Sequence, residues 1–117
     1  LERGPQWDKG KGCDTFGPVG PWLVTRDEVP DPQALPLWLE LNGQRKQDSS
    51  TADMIFGCAH IVSYVSQFMT LLPGDVICTG TPQGVGMGSG NYLKPGDRLR
   101  LAVEGLGAQH QTVIAAG

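Results

Sequence analysis

The sequence has 117 residues, a formal net charge of −3 from nine Lys+Arg against twelve Asp+Glu, 39% hydrophobic residues, 17 Gly and 9 Pro. That is the common length of one domain, and such chains bury roughly two thirds of their unfolded surface, so a hydrophobic core without disulfides is expected. The charge balance has no clustered basic run and excludes a nucleic-acid surface, no apolar run approaches the roughly 18 residues of a membrane span, and three Trp with a moderate apolar fraction exclude disorder.

Residues 1–21 are rich in Gly, Lys and Pro and carry almost no periodic hydrophobicity, so they read as an ordered loop or a segment lying across another surface. Trp22-Leu23-Val24-Thr25 is short and β-prone. Pro30 and Pro32 then forbid helix or central strand, which makes that stretch a connection. Leu37, Leu39 and Leu41 alternate with Trp38 and Glu40 up to Asn42-Gly43 and a polar run from Gln44 to Asp48. Alternation into Asn-Gly predicts a β-hairpin, because both central residues of a type I′ turn need positive φ.

The period changes over residues 57–69, where Ile61, Val62, Val65, Phe68 and Met69 follow helical spacing and predict the main helix. Pro73-Gly74-Asp75 ends it as a turn, and Val76-Ile77-Cys78 reads as a short buried strand running into a glycine-rich stretch. Lys94-Pro95-Gly96-Asp97 repeats the Pro-Gly-Asp turn. Leu99, Leu101 and Val103 then alternate with Arg98, Arg100 and Ala102 as a half-exposed strand, and a last strand is expected over about residues 109–114. The whole reads as a mainly β chain with one helix.

Ten of the seventeen glycines fall in two groups, Gly4 to Gly20 and Gly80 to Gly90, and each group frames a candidate site. In Lys9-Gly10-Lys11-Gly12-Cys13-Asp14-Thr15-Phe16-Gly17-Pro18 the spacing fails the phosphate-loop pattern. What remains is Lys11 between glycines, where the backbone can approach a small anion and the ammonium can neutralise developing negative charge. A solvated loop lysine explains the same residues. In Thr79-Gly80-Thr81-Pro82-Gln83-Gly84-Val85-Gly86 no helical pattern follows the glycines, so this is no dinucleotide loop. Its hydroxyls and amides could bind a carboxylate, and a structural turn accounts for them equally well.

The other reactive side chains form no catalytic set. His60 and His110 lack a carboxylate or second histidine at ligand spacing, Ser89 lacks the nucleophile-elbow spacing, and Glu40, Asp48 and Asp53 do not pair as metal ligands. Cys13 lies near Lys11 but has no base beside it. Cys13, Cys58 and Cys78 form neither a CxxC motif nor a full disulfide set, and the opening residues have no apolar leader, so a reduced, cytoplasmic setting is expected.

Lys11-Gly12-Cys13-Asp14-Thr15-Phe16-Gly17-Pro18-Val19-Gly20-Pro21-Trp22, Asp31-Pro32, the Leu-x-Leu-x-Asn-Gly hairpin, Met54-Ile55-Phe56, Pro73-Gly74-Asp75 and Thr79-Gly80-Thr81-Pro82-Gln83-Gly84-Val85-Gly86 together resemble the C-terminal portion of the fumarylacetoacetate hydrolase family. The similarity covers nearly the whole chain. Gly-Pro-Trp-Leu-Val-Thr and Asp-Glu-Val-Pro-Asp-Pro further resemble members labelled ureidoglycolate lyase or 2,4-diketo-3-deoxy-L-fuconate hydrolase. The resemblance implies a mainly β, α+β fold, a mixed β-sheet roll with short flanking helices, usually dimeric. It also implies Mg²⁺, Mn²⁺ or Ca²⁺ as cofactor and a 2-oxo or 1,3-dicarbonyl acid as substrate. Family members hydrolyse C–C bonds, decarboxylate, or isomerise keto and enol forms, all through an enolate.

By this resemblance Lys11 is the active-site lysine that stabilises the enolate. Gly80 and Thr81 contact the substrate, Thr81 through a hydrogen bond to its carboxylate. The family's metal ligands, a Glu-x-Glu pair and an Asp, and its water-activating His/Glu pair all lie upstream of the lysine motif. The expectation is therefore that residues 1–117 are the C-terminal part of a longer catalytic domain, with no metal ligand of their own. The leading reading is hydrolysis of an acylpyruvate-type substrate by a homodimer, with no nucleic-acid or membrane partner. Two other classes stay open: a non-catalytic scaffold or pseudoenzyme remnant, and a stand-alone small-anion binding module.

Overall fold

The computed structural model describes residues 6–115. Four strands form one open sheet: β1 (Pro36–Leu41), β2 (Gln44–Ser50), β3 (Arg98–Val103) and β4 (Ala108–Thr112), in the order β2-β1-β3-β4 with every pairing antiparallel. Short helices α1 (Asp8–Lys11), α2 (Cys58–Val65) and α3 (Gly86–Ser89) and two 3₁₀ turns flank it. This is the α+β class expected, an open sheet with a few short helices.

The hairpin forms where Asn42-Gly43 predicts it: Asn42 takes φ 52° and Gly43 φ 79°, the doubly left-handed pair of a type I′ turn. The apolar alternation lies on the two central strands, where Leu39 faces Leu101 and Leu37 faces Val103. The edge strands Gln44–Ser50 and Ala108–Thr112 are polar, which discourages pairing with further chains. Both Pro-Gly-Asp turns close alike, with Gly74 at φ 102° and Gly96 at φ 92°. In each the aspartate accepts from the N–H three residues earlier, Leu72 and Lys94 respectively, at 2.8 Å.

Helix α2 is shorter than the 57–69 expected. After Val65 the chain tightens into i→i+3 bonds, Gln67 N–H to Tyr64 and Phe68 N–H to Val65, and the Ser66 hydroxyl donates to the Ser63 carbonyl. Its N-terminus is capped from outside: Gln33 Oε1 accepts from Cys58 N–H, and its Nε2 reaches the Thr51 carbonyl.

Four expectations are corrected. Val76-Ile77-Cys78 is neither a strand nor buried, Val76 being 69% exposed, and Trp22-Leu23-Val24-Thr25 is likewise irregular. A β-prone run becomes a strand only where a neighbour completes its ladder, and no described strand pairs with either. Single helical turns appear at Asp8–Lys11 and Gly86–Ser89, where loops were expected. The first places Asp8 at its start and two lysines at its end, favourable to the helix dipole. The second stops at Gly90, left-handed at φ 71°. Finally, no hydrophobic side chain among the described residues is buried, against the expected core. Extensive contacts between elements are confined to strand pairs, and no helix among the described residues packs extensively on the leucine face of the sheet.

No helix among the described residues is long and apolar enough to cross a membrane.

Candidate functional site

The loop carrying Gly80 and Thr81 is anchored on β2. Gln47, buried with 9% of its surface exposed, donates from Nε2 to Thr81 Oγ1 and to the Pro82 carbonyl, each at 2.8 Å. Gln47 reaches the loop because β2 is bulged. Leu41 faces Gln44 and Glu40 faces Arg45, but Leu39 faces Gln47, so Lys46 is the extra residue. Its carbonyl lies under Gly84, where a Cβ would fall 2.0 Å from Lys46 O. At φ 107° and with no room for a side chain, position 84 needs glycine, and the loop comes down onto the bulge there.

Thr81 is exposed, and its hydroxyl hydrogen has no acceptor among the described residues. A threonine whose oxygen is already engaged and whose proton is free offers a donor to an incoming anion. Gly80, at φ 102° with open space around it, lets the backbone turn immediately before it.

Lys11 ends α1, exposed, with Nζ 5.5 Å from the centre of the Trp7 ring. The two residues are four apart, so one helical turn brings the ammonium over the indole face. Gly12 follows with its N–H on the Asp8 carbonyl at 2.7 Å, and a Cβ there would sit 3.0 Å from that oxygen. Three residues further on, Thr15 takes φ 67°, a left-handed conformation that is unfavourable for a β-branched side chain. Strain of this kind concentrates at functional loops.

The far end of the Lys11 loop is pinned to the opposite edge of the sheet. Gln109 of β4 donates from Nε2 to the Gly20 carbonyl, and its Oε1 accepts from Gln111 at 2.8 Å. Pro21 and Trp22 lie against Gly107, where a Cβ would meet Trp22 Cζ2 at 2.7 Å. Both glycine-rich loops are thus tied to one sheet face. No hydrogen bond or ion pair joins Lys11 to Thr81 among the described residues. Two shallow clefts, of about 250 and 230 Å³, open elsewhere, and neither is lined by Lys11, Gly80 or Thr81.

Sequence reasoning missed Trp7, Gln47 and Gln109. Trp7 carried a readable signal, its i, i+4 spacing to Lys11. The two glutamines sit in polar edge strands and look like ordinary solvated residues. His60 stacks between Phe56 at 4.7 Å and Tyr64 at 6.4 Å, and His110 stands exposed on β4 opposite Arg100. Cys13, Cys58 and Cys78 are free thiols. Among the described residues no group of three or more His, Cys, Asp or Glu is placed to hold a metal ion. The described residues therefore do not fit a divalent-metal centre.

Comparison with known proteins adds three relatives and a family. The family model described as fumarylacetoacetate (FAA) hydrolase C-terminal matches residues 1–114. A protein of Burkholderia multivorans named as a hydrolase is 62% identical over 119 residues, covering 99% of this chain and 42% of the relative. The fumarylacetoacetate hydrolase of Exiguobacterium antarcticum superposes with TM-score 0.88 at 41% identity, covering 92% of this chain and 39% of that one. The maleylpyruvate hydrolase of Sphingobium sp. SYK-6, solved with manganese(II) and pyruvate, gives TM-score 0.80 at 39% identity, covering 86% and 36%. The chain spans about two fifths of the length of the curated relatives it matches.

Proposed function

Because the chain belongs to the fumarylacetoacetate hydrolase family, we propose that it supplies the enolate-stabilising part of an enzyme acting on 2-oxo or 1,3-dicarbonyl acids, most simply the hydrolysis of an acylpyruvate. The observation that carries this reading is Thr81, held by Gln47 with its hydroxyl proton free, on the loop whose motif the family uses for the substrate carboxylate.

In the proposed reaction water adds to the distal carbonyl and the C–C bond to the pyruvyl methylene breaks. The acyl part leaves as a carboxylic acid. The electron pair passes to the pyruvyl unit as its enolate, which takes up a proton to give pyruvate. Thr81 holds the pyruvyl carboxylate by a donated hydrogen bond, with the Gly80 backbone turned to admit it. Lys11 brings positive charge to the enolate oxygen as it forms. A long, flexible lysine on a glycine-flanked turn can make that approach. Decarboxylation and keto–enol isomerisation share the same enolate and differ in how it forms and what it becomes.

The reading for the whole enzyme includes a divalent ion, Mg²⁺ or Mn²⁺, with no ligand for it assigned to this chain. It also includes a homodimer in a reducing cytoplasm, resting on the resemblance and the three unpaired cysteines. The narrower likeness to ureidoglycolate lyase and 2,4-diketo-3-deoxy-L-fuconate hydrolase rests on the motifs of residues 20–32 alone and serves as a second substrate class to screen.

The test is incubation of the full gene product with an acylpyruvate panel and Mg²⁺, followed by NMR. Pyruvate and the matching carboxylic acid should appear in equal amounts. Carbon dioxide or a tautomer as product would move the assignment to decarboxylase or isomerase. No turnover together with no oxalate binding would return it to a scaffold.

A further inference from the structure

We propose that Gln47 is a positioning residue that engages the Thr81 oxygen as an acceptor, leaves its proton for the ligand, and thereby favours a ligand with an ionised acid group over its neutral amide. The inference rests on the reading of Thr81 as the carboxylate contact and concerns what sets the polarity of that contact.

Hydrogen-bond chemistry leaves the Gln47 amide no choice of orientation. A carboxamide presents a donor at one end and an acceptor at the other, and the two exchange by a half-turn. The atom of Gln47 that faces Thr81 also lies 2.8 Å from the Pro82 carbonyl oxygen, which accepts only. That atom must therefore be the nitrogen. The same nitrogen sits 2.8 Å from Thr81 Oγ1, so the threonine oxygen is obliged to accept. Both amide hydrogens are then engaged, and the Thr81 proton is directed away from Gln47 towards open space, with no acceptor among the described residues. A rotating hydroxyl serves donors and acceptors alike, whereas one whose orientation is set by a neighbour favours acceptors.

Burial keeps this arrangement in place. Gln47 is the one buried polar residue among the described residues, in a row of leucines where an unpaired amide would be costly. The Lys46 bulge points it inward, and Gly84 brings the loop close enough to meet it. The same shell that anchors the loop thus fixes the direction of the Thr81 donor.

Oxalate and oxamide probe the idea: oxamide has both carboxylates replaced by neutral amides. Their binding to the full gene product is measured by titration calorimetry with Mg²⁺ present throughout. In Gln47→Glu the buried carboxylate accepts from Thr81 and consumes its proton, so oxalate binding should weaken roughly tenfold or more while oxamide loses distinctly less. Gln47→Met keeps the volume without either donor and frees the hydroxyl to rotate. It should lower the oxalate preference by a smaller factor, and it decides the matter if the glutamate variant fails to fold. Each substitution is repeated in a Thr81→Val background, where the preference should no longer respond to position 47. A preference that still responds there would mean that the carboxylate introduced at position 47 acts by through-space charge, and would overturn the proposal. Equal weakening of both ligands, or no change in preference, would reduce Gln47 to a loop anchor and also overturn it, with the reading of Thr81 intact. Unchanged oxalate binding in Thr81→Val alone would remove the carboxylate role of Thr81 and the proposal with it.

Discussion

Gln47 and Gln109 stand at the two ends of a single cross-strand row, separated by Leu39 and Leu101 as successive partners. Three inter-strand steps of about 4.8 Å put their backbones about 14 Å apart, with side chains on one face. From these ends one glutamine holds Thr81 and the other holds Gly20, so the row sets the spacing at which the two loops are attached.

Removing either end should therefore release one loop and leave the other. In Gln109→Leu, hydrogen exchange should accelerate over residues 16–24 by an amount corresponding to about 1 kcal/mol, with the Thr81 loop unchanged. Gln47→Met should show the reverse pattern. Equal acceleration of both loops in either variant would mean that the sheet, and not the individual glutamines, holds them.

Lys11→Met should lower kcat for an acylpyruvate by roughly 10²- to 10³-fold, the loss typical of one preorganised charge donor. Trp7→Ala should cost much less, since a cation–π contact at an exposed site is worth about 0.5–1 kcal/mol. Steady-state kinetics on both variants checks the order. Trp7→Ala matching Lys11→Met would mean that the indole itself contacts substrate.

Gly84 and Gly74 have nearly the same φ, 107° and 102°, in different surroundings: a Cβ at 84 meets Lys46 O at 2.0 Å, and at 74 meets nothing within 4 Å. Alanine at 74 should cost only the backbone strain, roughly 1–3 kcal/mol. Alanine at 84 should cost clearly more in urea denaturation and should also detach Thr81 from Gln47, because the loop must lift.

Asp97 joins the two turns beside β3. Its carboxylate accepts from the Asn42 amide at 2.9 Å and from the Lys94 N–H at 2.8 Å. These bonds, with the Lys94 charge, hold its pKa below the ordinary 3.8, more than offsetting slight desolvation. A depressed carboxyl adds stability that is complete above its ordinary value and lost as pH falls through the depressed one. The stability gap between parent and Asp97→Asn should therefore be constant from neutral pH down to about pH 5 and shrink below about pH 4. Denaturant midpoints against pH measure it, and a gap that widened on acidification would contradict the assignment.

With no hydrophobic side chain buried among the described residues, the 117-residue chain presents Phe56 just before α2, Tyr64 on it and Phe68 just after it, at 58%, 56% and 69% exposure. The isolated chain should enhance the fluorescence of an apolar dye such as ANS under native conditions. A negligible enhancement would show that these surfaces are covered in solution.

Local chemistry explains which elements were readable in advance. Asn42-Gly43 dictates its turn, the Leu alternations dictate the central strands, and the two Pro-Gly-Asp turns close through their own aspartates, because each needs only residues a few positions apart. Val76-Ile77-Cys78 has equal β-propensity and forms no strand, since pairing depends on a partner elsewhere in the chain. The site divides in the same way. Lys11 and Thr81 are proposed as site residues on the strength of the family resemblance, since the residues around them suit a solvated loop lysine and a structural turn equally well.

Gln47 marks the boundary between the two kinds of information. Counting back from the Asn-Gly turn with regular pairing would set Lys46 opposite Leu39 and turn Gln47 to the other face. The bulge shifts the register by one residue, leaves Lys46 as the extra residue and brings Gln47 opposite Leu39. By itself the sequence determined the hairpin, the alternation of the central strands and the two glycine-rich loops. Tertiary structure decided which polar side chain enters the leucine row, because a lysine there would leave a charge without water, whereas a glutamine finds Thr81 and Pro82 waiting to accept.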